Sequence, residues 1–265
     1  MTARAVAAPA VALAALLAGC NLGYYCHLAG GQARLLVHAR PVSQVLAGAD
    51  LDSTRHQRLE FTQQVRAYGI RHLGLRGGRA YTRFVDLGGR PVIYSVSACP
   101  PDRFAPYHWR FPIAGVVPYK GFFDEERARA EERALAAAGL DVDLRPVAAY
   151  SLLGYLPDPV LSTMLELPLE ALADLILHEL THGTVYAPGQ AAYNESLAEF
   201  VGSAGSLAFL VHQFGTDDAR VHEARAARRD RARFSRFMAG VTAELDSLYG
   251  LGLGREAVLA EREAV

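Results

Sequence analysis

The segment His178-Glu179-Leu180-Thr181-His182 places two imidazoles and a carboxylate within five residues. On a helix, residues four apart lie on one face, about one turn from each other. His178 and His182 can then turn both rings toward a single cation. Glu179, rotated about a quarter turn, reaches the open position beside that cation rather than the cation itself. Zinc lowers the pKa of a bound water to about 7. Glu179 then suits the part of general base, taking the water's proton and passing it to a leaving group. The setting favours this chemistry, because Asp174 is the only charge from Ala171 to Leu177. Two histidines and a glutamate at the end of so apolar a helix are costly to bury unless something binds them. The alternative is a pair of surface histidines that merely suit the negative end of a helix dipole.

A catalytic zinc site keeps three protein ligands and one open position. Twelve residues past His182, Asn194 opens the run Asn194-Glu195-Ser196-Leu197-Ala198-Glu199-Phe200. Glu195 and Glu199 share one face of a second helix, expected to start near Tyr193 and to run past Phe200. One can ligate the metal while the other hydrogen-bonds a ligand histidine from behind. Ala187 to Ala192, with Pro188 and Gly189, is the loop that returns the chain. If the first helix continues, Tyr186 lies one turn past His182 and can donate to a developing oxyanion. Tyr119, Tyr150 and His222 are further donors for that role.

These groups need elements to hold them. Pro168 suits the first turn of the active helix, and Leu169, Leu172, Leu175, Ile176 and Leu180 give it an apolar face. Upstream, Gln32 to Ala47 reads as helix broken at Pro41. Asp52-Ser53-Thr54 caps another helix, for which Gly69 is the expected stop. The β-prone runs Ala80 to Leu87 and Val92 to Val96 flank Gly88-Gly89, a hairpin pattern. Trp109 to Tyr119 and Val147 to Leu153 are further strands, and Asp124 caps a helix that ends at Gly139. Arg220 to Arg236 is arginine-dense with interspersed acids, the pattern of a solvated helix face. The fold class is therefore α+β: a small, mostly antiparallel sheet with an inserted helix (residues 20–160), then a helical half (residues 161–265) that carries the metal site.

The chain has 265 residues, 51% of them hydrophobic, and a formal net charge of −1. That balance gives no basic excess with which to bind nucleic acid. The first nineteen residues read as a secretory signal, with an apolar run from Ala5 to Leu17 that is short for a bilayer span. It ends in Leu17-Ala18-Gly19-Cys20, the form of a lipobox, in which the Cys20 thiol is lipidated before cleavage. The expected location is the bacterial cell envelope, lipid-anchored and facing the periplasm or exterior. A plain signal peptide with an incidental cysteine is the alternative. In an oxidising compartment Cys26 and Cys99 are either a pair or two unrelated thiols.

The two motifs together resemble the thermolysin-like gluzincin metallopeptidases, in which HExxH is followed on the next helix by Asn-Glu-x-x-(Ser or Ala)-(Asp or Glu). The resemblance implies that Glu195 ligates Zn2+, that Glu199 orients His178, and that Asn194 belongs to the same outer shell. It narrows to the bacterial lipoprotein family of predicted aminopeptidases through Gly23-Tyr24-Tyr25, Phe111-Pro112-Ile113-Ala114-Gly115, Pro118-Tyr119-Lys120-Gly121-Phe122-Phe123, Ala149-Tyr150-Ser151-Leu152-Leu153-Gly154 and Asp158-Pro159. Family chains often carry a cysteine pair flanking the Phe-Pro segment; Arg110 and Val116 stand there in this chain. They also continue further into a helical C-terminal part.

Peptidases often hold substrate as an added strand on a sheet edge. Ala114 to Val117 and Ala149 to Leu152 are the two candidate edges. Ala149, Tyr150 and Ser151 are preferred, since a strand shortly before the active helix plays this part in gluzincins. The expected activity is a zinc-dependent peptidase, an aminopeptidase by resemblance, acting on peptides. An endopeptidase of envelope proteins and a non-catalytic metal-binding lipoprotein are the alternatives. An intact Glu179 argues against the last, because a purely structural site has no use for a base.

Overall fold

In a computed structural model the chain is described over residues 22–111, 115–147 and 158–265. Cys20, the Phe-Pro segment beyond Phe111, and Ala149, Tyr150 and Ser151 lie outside the described residues. The fold is α+β. Helix α1 (Leu22–His38) leads through β1 (Arg40–Pro41) into α2 (Val42–Ala47), so the break expected at Pro41 falls between two helices. Helix α3 (Ser53–His72) begins at Asp52, whose side chain accepts from the Arg55 N–H. It runs on past Gly69, the expected stop. Gly69 is buried in the last turn, where a β-carbon would sit 2.8 Å from Leu177 Cδ2. The glycine serves close packing, and the chain leaves the helix only after His72.

The strands form three small groups. β1 pairs antiparallel with β2 (Arg83–Val85), and β2 pairs parallel with β8 (Val160–Leu161). A second sheet has β3 (Ile93–Cys99) between β6 (Lys120–Phe122) and β7 (Asp141–Val147), all antiparallel. β4 (Trp109–Phe111) and β5 (Gly115–Val117) make a hairpin. The hairpin expected around Gly88-Gly89 does not form. Both glycines take positive φ, but β2 and β3 then enter different sheets. The turn is a local property of the two glycines, whereas each strand's partner is remote in sequence. The inserted helix α4 (Glu125–Ala137) is as expected: Asp124 accepts from the Arg127 N–H, and Gly139 follows with φ 79°.

One core gathers residues from both sides of position 160. Leu59 and Val65 of α3 join Phe84, Val160, Leu172, Ile176, Leu177, Phe209 and Leu210. A smaller core lies between the second sheet and α4, around Val96, Trp109, Phe122 and Leu135. Lys120 and Trp109 both reach Glu131 there, at 2.8 Å each.

The chain finishes in four helices: α5 (Leu169–His182), α6 (Ala191–Phe214), α7 (Ala219–Tyr249) and α8 (Arg255–Arg262). α6 starts two residues before Tyr193, close to the expected point. α7 starts at Asp218, whose carboxyl is held at about 2, first by hydrogen bonds from the Arg220 side chain and then by the Arg220 backbone N–H. Most of α7 is exposed, as the mixed charges predict; Val221 and Ala224 are its buried residues. Its arginines nevertheless reach inward. Arg231 grips Glu170 of α5 with both terminal nitrogens, at 2.5 and 3.1 Å, and Arg228 donates to Ser203 of α6 at 2.7 Å. At the other end Tyr249 packs edge-on against Phe104, and Arg262 of α8 pairs with Asp141 of β7. No helix among the described residues is long and apolar enough to cross a membrane.

Candidate metal centre

The geometry of the centre is set by α5. Of the expected apolar face, Leu172, Ile176 and Leu180 are almost fully covered and Leu169 and Leu175 partly so, while Leu177, outside that expected set, is fully buried as well. Leu177, next to His178, is wedged between glycines of two other helices. A β-carbon on Gly69 of α3 would stand 2.8 Å from one of its methyls, and one on Gly205 of α6 would stand 2.9 Å from the other. A third glycine, Gly202 of α6, lets that helix close directly on the turn below His178. A β-carbon there would lie 2.3 Å from Asp174 Oδ1, 2.8 Å from the Asp174 carbonyl oxygen and 3.1 Å from His178 Cβ. A side chain at any of these positions would force the helices apart.

Between the helices the returning loop is tied at both ends. The Thr184 hydroxyl donates to the Leu180 carbonyl at 2.6 Å and accepts from the Arg76 N–H at 2.8 Å. The buried Asn194 amide exchanges two hydrogen bonds with the backbone of Ala187, both 2.9 Å. Asn194 therefore acts on the loop, fixing where α6 begins, and its hydrogen bonds go to Ala187 rather than to a ligand histidine. That placement brings Glu195 over the end of α5. Glu195 Oε2 lies 3.5 Å from His178 Nε2, Glu195 Oε1 lies 3.5 Å from His182 Nε2, and the two ring nitrogens are 3.2 Å apart. All three ligand atoms fall within 4.8 Å of one another. The His182 side chain is 4% exposed and that of Glu195 61%, so the group is anchored in the core and open on one side. His182 Nδ1 is buried with no hydrogen-bond partner among the described residues.

These residues fit a divalent metal. Two Nε2 atoms facing each other across 3.2 Å, with a carboxylate completing the triangle, present three lone-pair donors to one point. N, N and O donors with an open side are the ligand set of a catalytic zinc site. Glu179, half-buried, follows His178 directly on the same helix.

Other expected partners are placed differently. Glu199 is exposed and lines a surface pocket with Ser196, Ser203 and Arg228, and its carboxylate makes no hydrogen bond to His178. The carboxylate of Asp174, on α5 itself, lies in the notch at Gly202 of α6. Tyr186 does not continue the face of His182, because α5 ends there, capped by Gly183; Tyr186 stands exposed in the loop. His222 is exposed in the first turn of α7. Tyr119 lines a cavity of about 640 Å³ against β3 and β7 whose lining includes none of His178, His182 and Glu195. Cys26 and Cys99 are both free thiols.

Tyr81 is a residue that sequence alone conceals. It reads as one more β-prone aromatic, yet it is buried with φ 58°, a left-handed backbone that bulky residues rarely adopt. Its N–H donates to the Asp158 carbonyl at 2.7 Å and its own carbonyl accepts from the Gln63 amide at 3.0 Å. Burial, followed by the charges of Glu179 and Asp158, pushes its phenol well above the ordinary range. Strain of this kind gathers at functional sites. Its phenol therefore lies within the electrostatic reach of Glu179, a proximity that the motif did not reveal.

Comparison with curated proteins and with solved structures returned no match. A family model described as "Putative aminopeptidase" matches residues 23–265, which takes in both helices of the centre and all three strand groups. The chain belongs to that aminopeptidase family, and its family is one of peptidases.

Proposed function

We propose that the protein is a zinc-dependent aminopeptidase of the bacterial cell envelope, anchored by lipid on Cys20. The observation that carries the hydrolytic reading is the meeting of His178 Nε2, His182 Nε2 and a Glu195 carboxylate, on the helix whose motif also supplies Glu179. His178, His182 and Glu195 would hold Zn2+. When bound, it supplies Lewis acidity, which eases the ionisation of a water and polarises a peptide carbonyl. Glu179 takes the proton of the attacking water and delivers it to the departing amine. The carboxylate sits one residue past His178, on a helix end that Leu177 and its two glycines hold in register. The exposed side of Glu195 leaves room for a substrate. Ala149, Tyr150 and Ser151 remain the proposed residues for holding the peptide backbone. The envelope location rests on Leu17 to Cys20.

Digestion of a peptide library by the zinc-loaded protein, read by mass spectrometry, tests this. Stepwise loss of amino-terminal residues is expected. Internal cuts would replace the exopeptidase assignment with an endopeptidase. A failure of metal-loaded protein to cut any peptide would overturn the enzymatic assignment in favour of a metal-binding scaffold. Replacing Cys20 with Ser should move the protein from the membrane to the soluble fraction.

A further inference from the structure

Helix α7 is fixed near its two ends and bare between them. Val221 and Ala224 are its buried residues, and Arg228 and Arg231 tie the same end to Ser203 and Glu170. At the far end Tyr249 packs on Phe104. From Arg231 to Gly240 every residue is exposed. Phe234 is 63% exposed, Phe237 65% and Met238 41%. Their spacing, continued by Val241, puts them on one stripe of the helix. An amphipathic helix ordinarily turns such a stripe into a core. This one turns it outward.

Charge on this helix is as uneven as exposure. Residues 219–240 hold seven arginines against Glu223 and Asp230, a net of +5 in a chain whose formal net charge is −1. Arg229, Arg233 and Arg236 share a second stripe. Arg233 pairs with Asp230 at 3.2 Å, but both side chains are 71% exposed, and such a pair holds its partners weakly. Arg229 and Arg236 make no hydrogen bond or ion pair with any described residue. At about 3.6 residues per turn, the phenylalanine stripe falls between these arginines and the face of α7 that meets α5 and α6.

We infer that this stretch of α7 is a membrane-contact surface: Phe234, Phe237 and Met238 enter the interface of an anionic bilayer, and Arg229, Arg233 and Arg236 meet its phosphate headgroups. Arginines beside exposed aromatic residues on one helix are the pattern of a segment that lies in the interface without spanning it. The convex side of a single helix offers no pocket to a folded partner's side chains, whereas a bilayer needs none. Guanidinium groups match phosphate in charge and in the geometry of their donors. The inference rests on the envelope reading, which sets a bilayer within reach of the chain. Attraction between exposed charges is screened by salt, so the two contacts play separate parts. The lipid on Cys20 holds the protein at the membrane, and α7 orients it there.

The test uses the full chain carrying Cys20→Ser, which has no lipid of its own, sedimented with vesicles in low salt. Vesicles that mix phosphatidylcholine with phosphatidylglycerol should bind it, phosphatidylcholine alone should not, and raised salt should release it. Arg229→Ala with Arg236→Ala should weaken binding about 25-fold, roughly fivefold for each arginine near an anionic surface. Phe234→Ser with Phe237→Ser should weaken it by about tenfold or more, through the apolar area withdrawn. These side chains are exposed, so melting curves should match the parent. Arg110→Ala with Arg133→Ala, exposed arginines of β4 and α4, should leave binding unchanged. The tryptophan of Phe237→Trp should be quenched by brominated acyl chains, while Trp109, the one tryptophan of the parent, should not. Equal binding to both vesicles, or an equal loss in the Arg110 and Arg133 variant, would overturn the inference. Binding to neither vesicle would overturn it too, whether or not duplex DNA or polyglutamate is captured instead. The anchor is tested apart, by whether Cys20→Ser leaves the membrane fraction at physiological salt; the part given to α7 stands or falls on the vesicles alone.

Discussion

Two histidine pairs meet on this scaffold, and their ring centres are the same distance apart, 4.9 Å. His178 and His182 share one helix, while His72 and His212 face each other from α3 and α6. Their surroundings differ. The first pair is held against the core, has a carboxylate at 3.5 Å from each Nε2 and lies at the end of an apolar helix. The second is exposed, stacked on Tyr68 at 4.8 Å, and lines a pocket with Gln64, Arg71 and Gln213 but no acid. A guanidinium beside two imidazoles repels a cation, and the face of Tyr68 already occupies one ring. Spacing alone therefore does not make a metal centre. The converging anion and the burial that keeps the rings from dispersing are what distinguish the α5–α6 pair.

The contrast can be broken or sharpened in order of effect. Glu179→Gln leaves the three ligand atoms untouched, so zinc content should stay near that of the parent. Peptide hydrolysis should fall about 10²- to 10⁴-fold, the range for a lost general base; full activity in this variant would end the base assignment. Glu195→Ala removes the anion that the second pair also lacks. Its zinc affinity should drop by more than the roughly 100-fold that marks the upper range for an outer partner, measured by chelator competition. Gly202→Ala puts a methyl against the Asp174 backbone and carboxylate. Overpacking of this kind costs about 1–3 kcal/mol, which thermal or urea unfolding would show. Smallest of all, His72→Ala together with His212→Ala should leave zinc stoichiometry and hydrolysis unchanged. A measurable loss of zinc in that double variant would mean the exposed pair is a second site.

Much of the centre was legible in the sequence because its information is local. HExxH and Asn-Glu name the residues that converge, Pro168 and Asp124 mark helix starts, and the apolar spacing of α5 predicts much of its buried face. What escaped is written in pairs of remote residues. Gly69 looks like a helix stop until Leu177 is packed on it. Gly88-Gly89 looks like a hairpin until β2 finds β8 and β3 finds β7. Glu199 lies at the spacing expected of a histidine's partner, but whether its carboxylate turns inward is decided by side-chain packing that spacing does not record. Asp174 reads as a lone charge on an apolar stretch, and its place in the α5–α6 contact becomes visible only when Gly202 of the next helix is set beside it. Reasoning from residue classes fails most plainly at the buried Tyr81, whose left-handed backbone is held by hydrogen bonds to Asp158 and Gln63.

The wedge of Leu177 between Gly69 and Gly205 bears on how the centre is filled. In a zinc finger the free energy of metal capture is also the free energy of folding, and the ligands have no fixed places until the ion arrives. Here the helix that bears both imidazoles is indexed by a side chain seated in two notches, and the loop to Glu195 is stitched by Asn194. A cation that enters meets a preformed socket and has no ordering entropy of the backbone to overcome. Loading and stripping should then be reversible events on an intact fold, with exchange governed by access from the open side of Glu195.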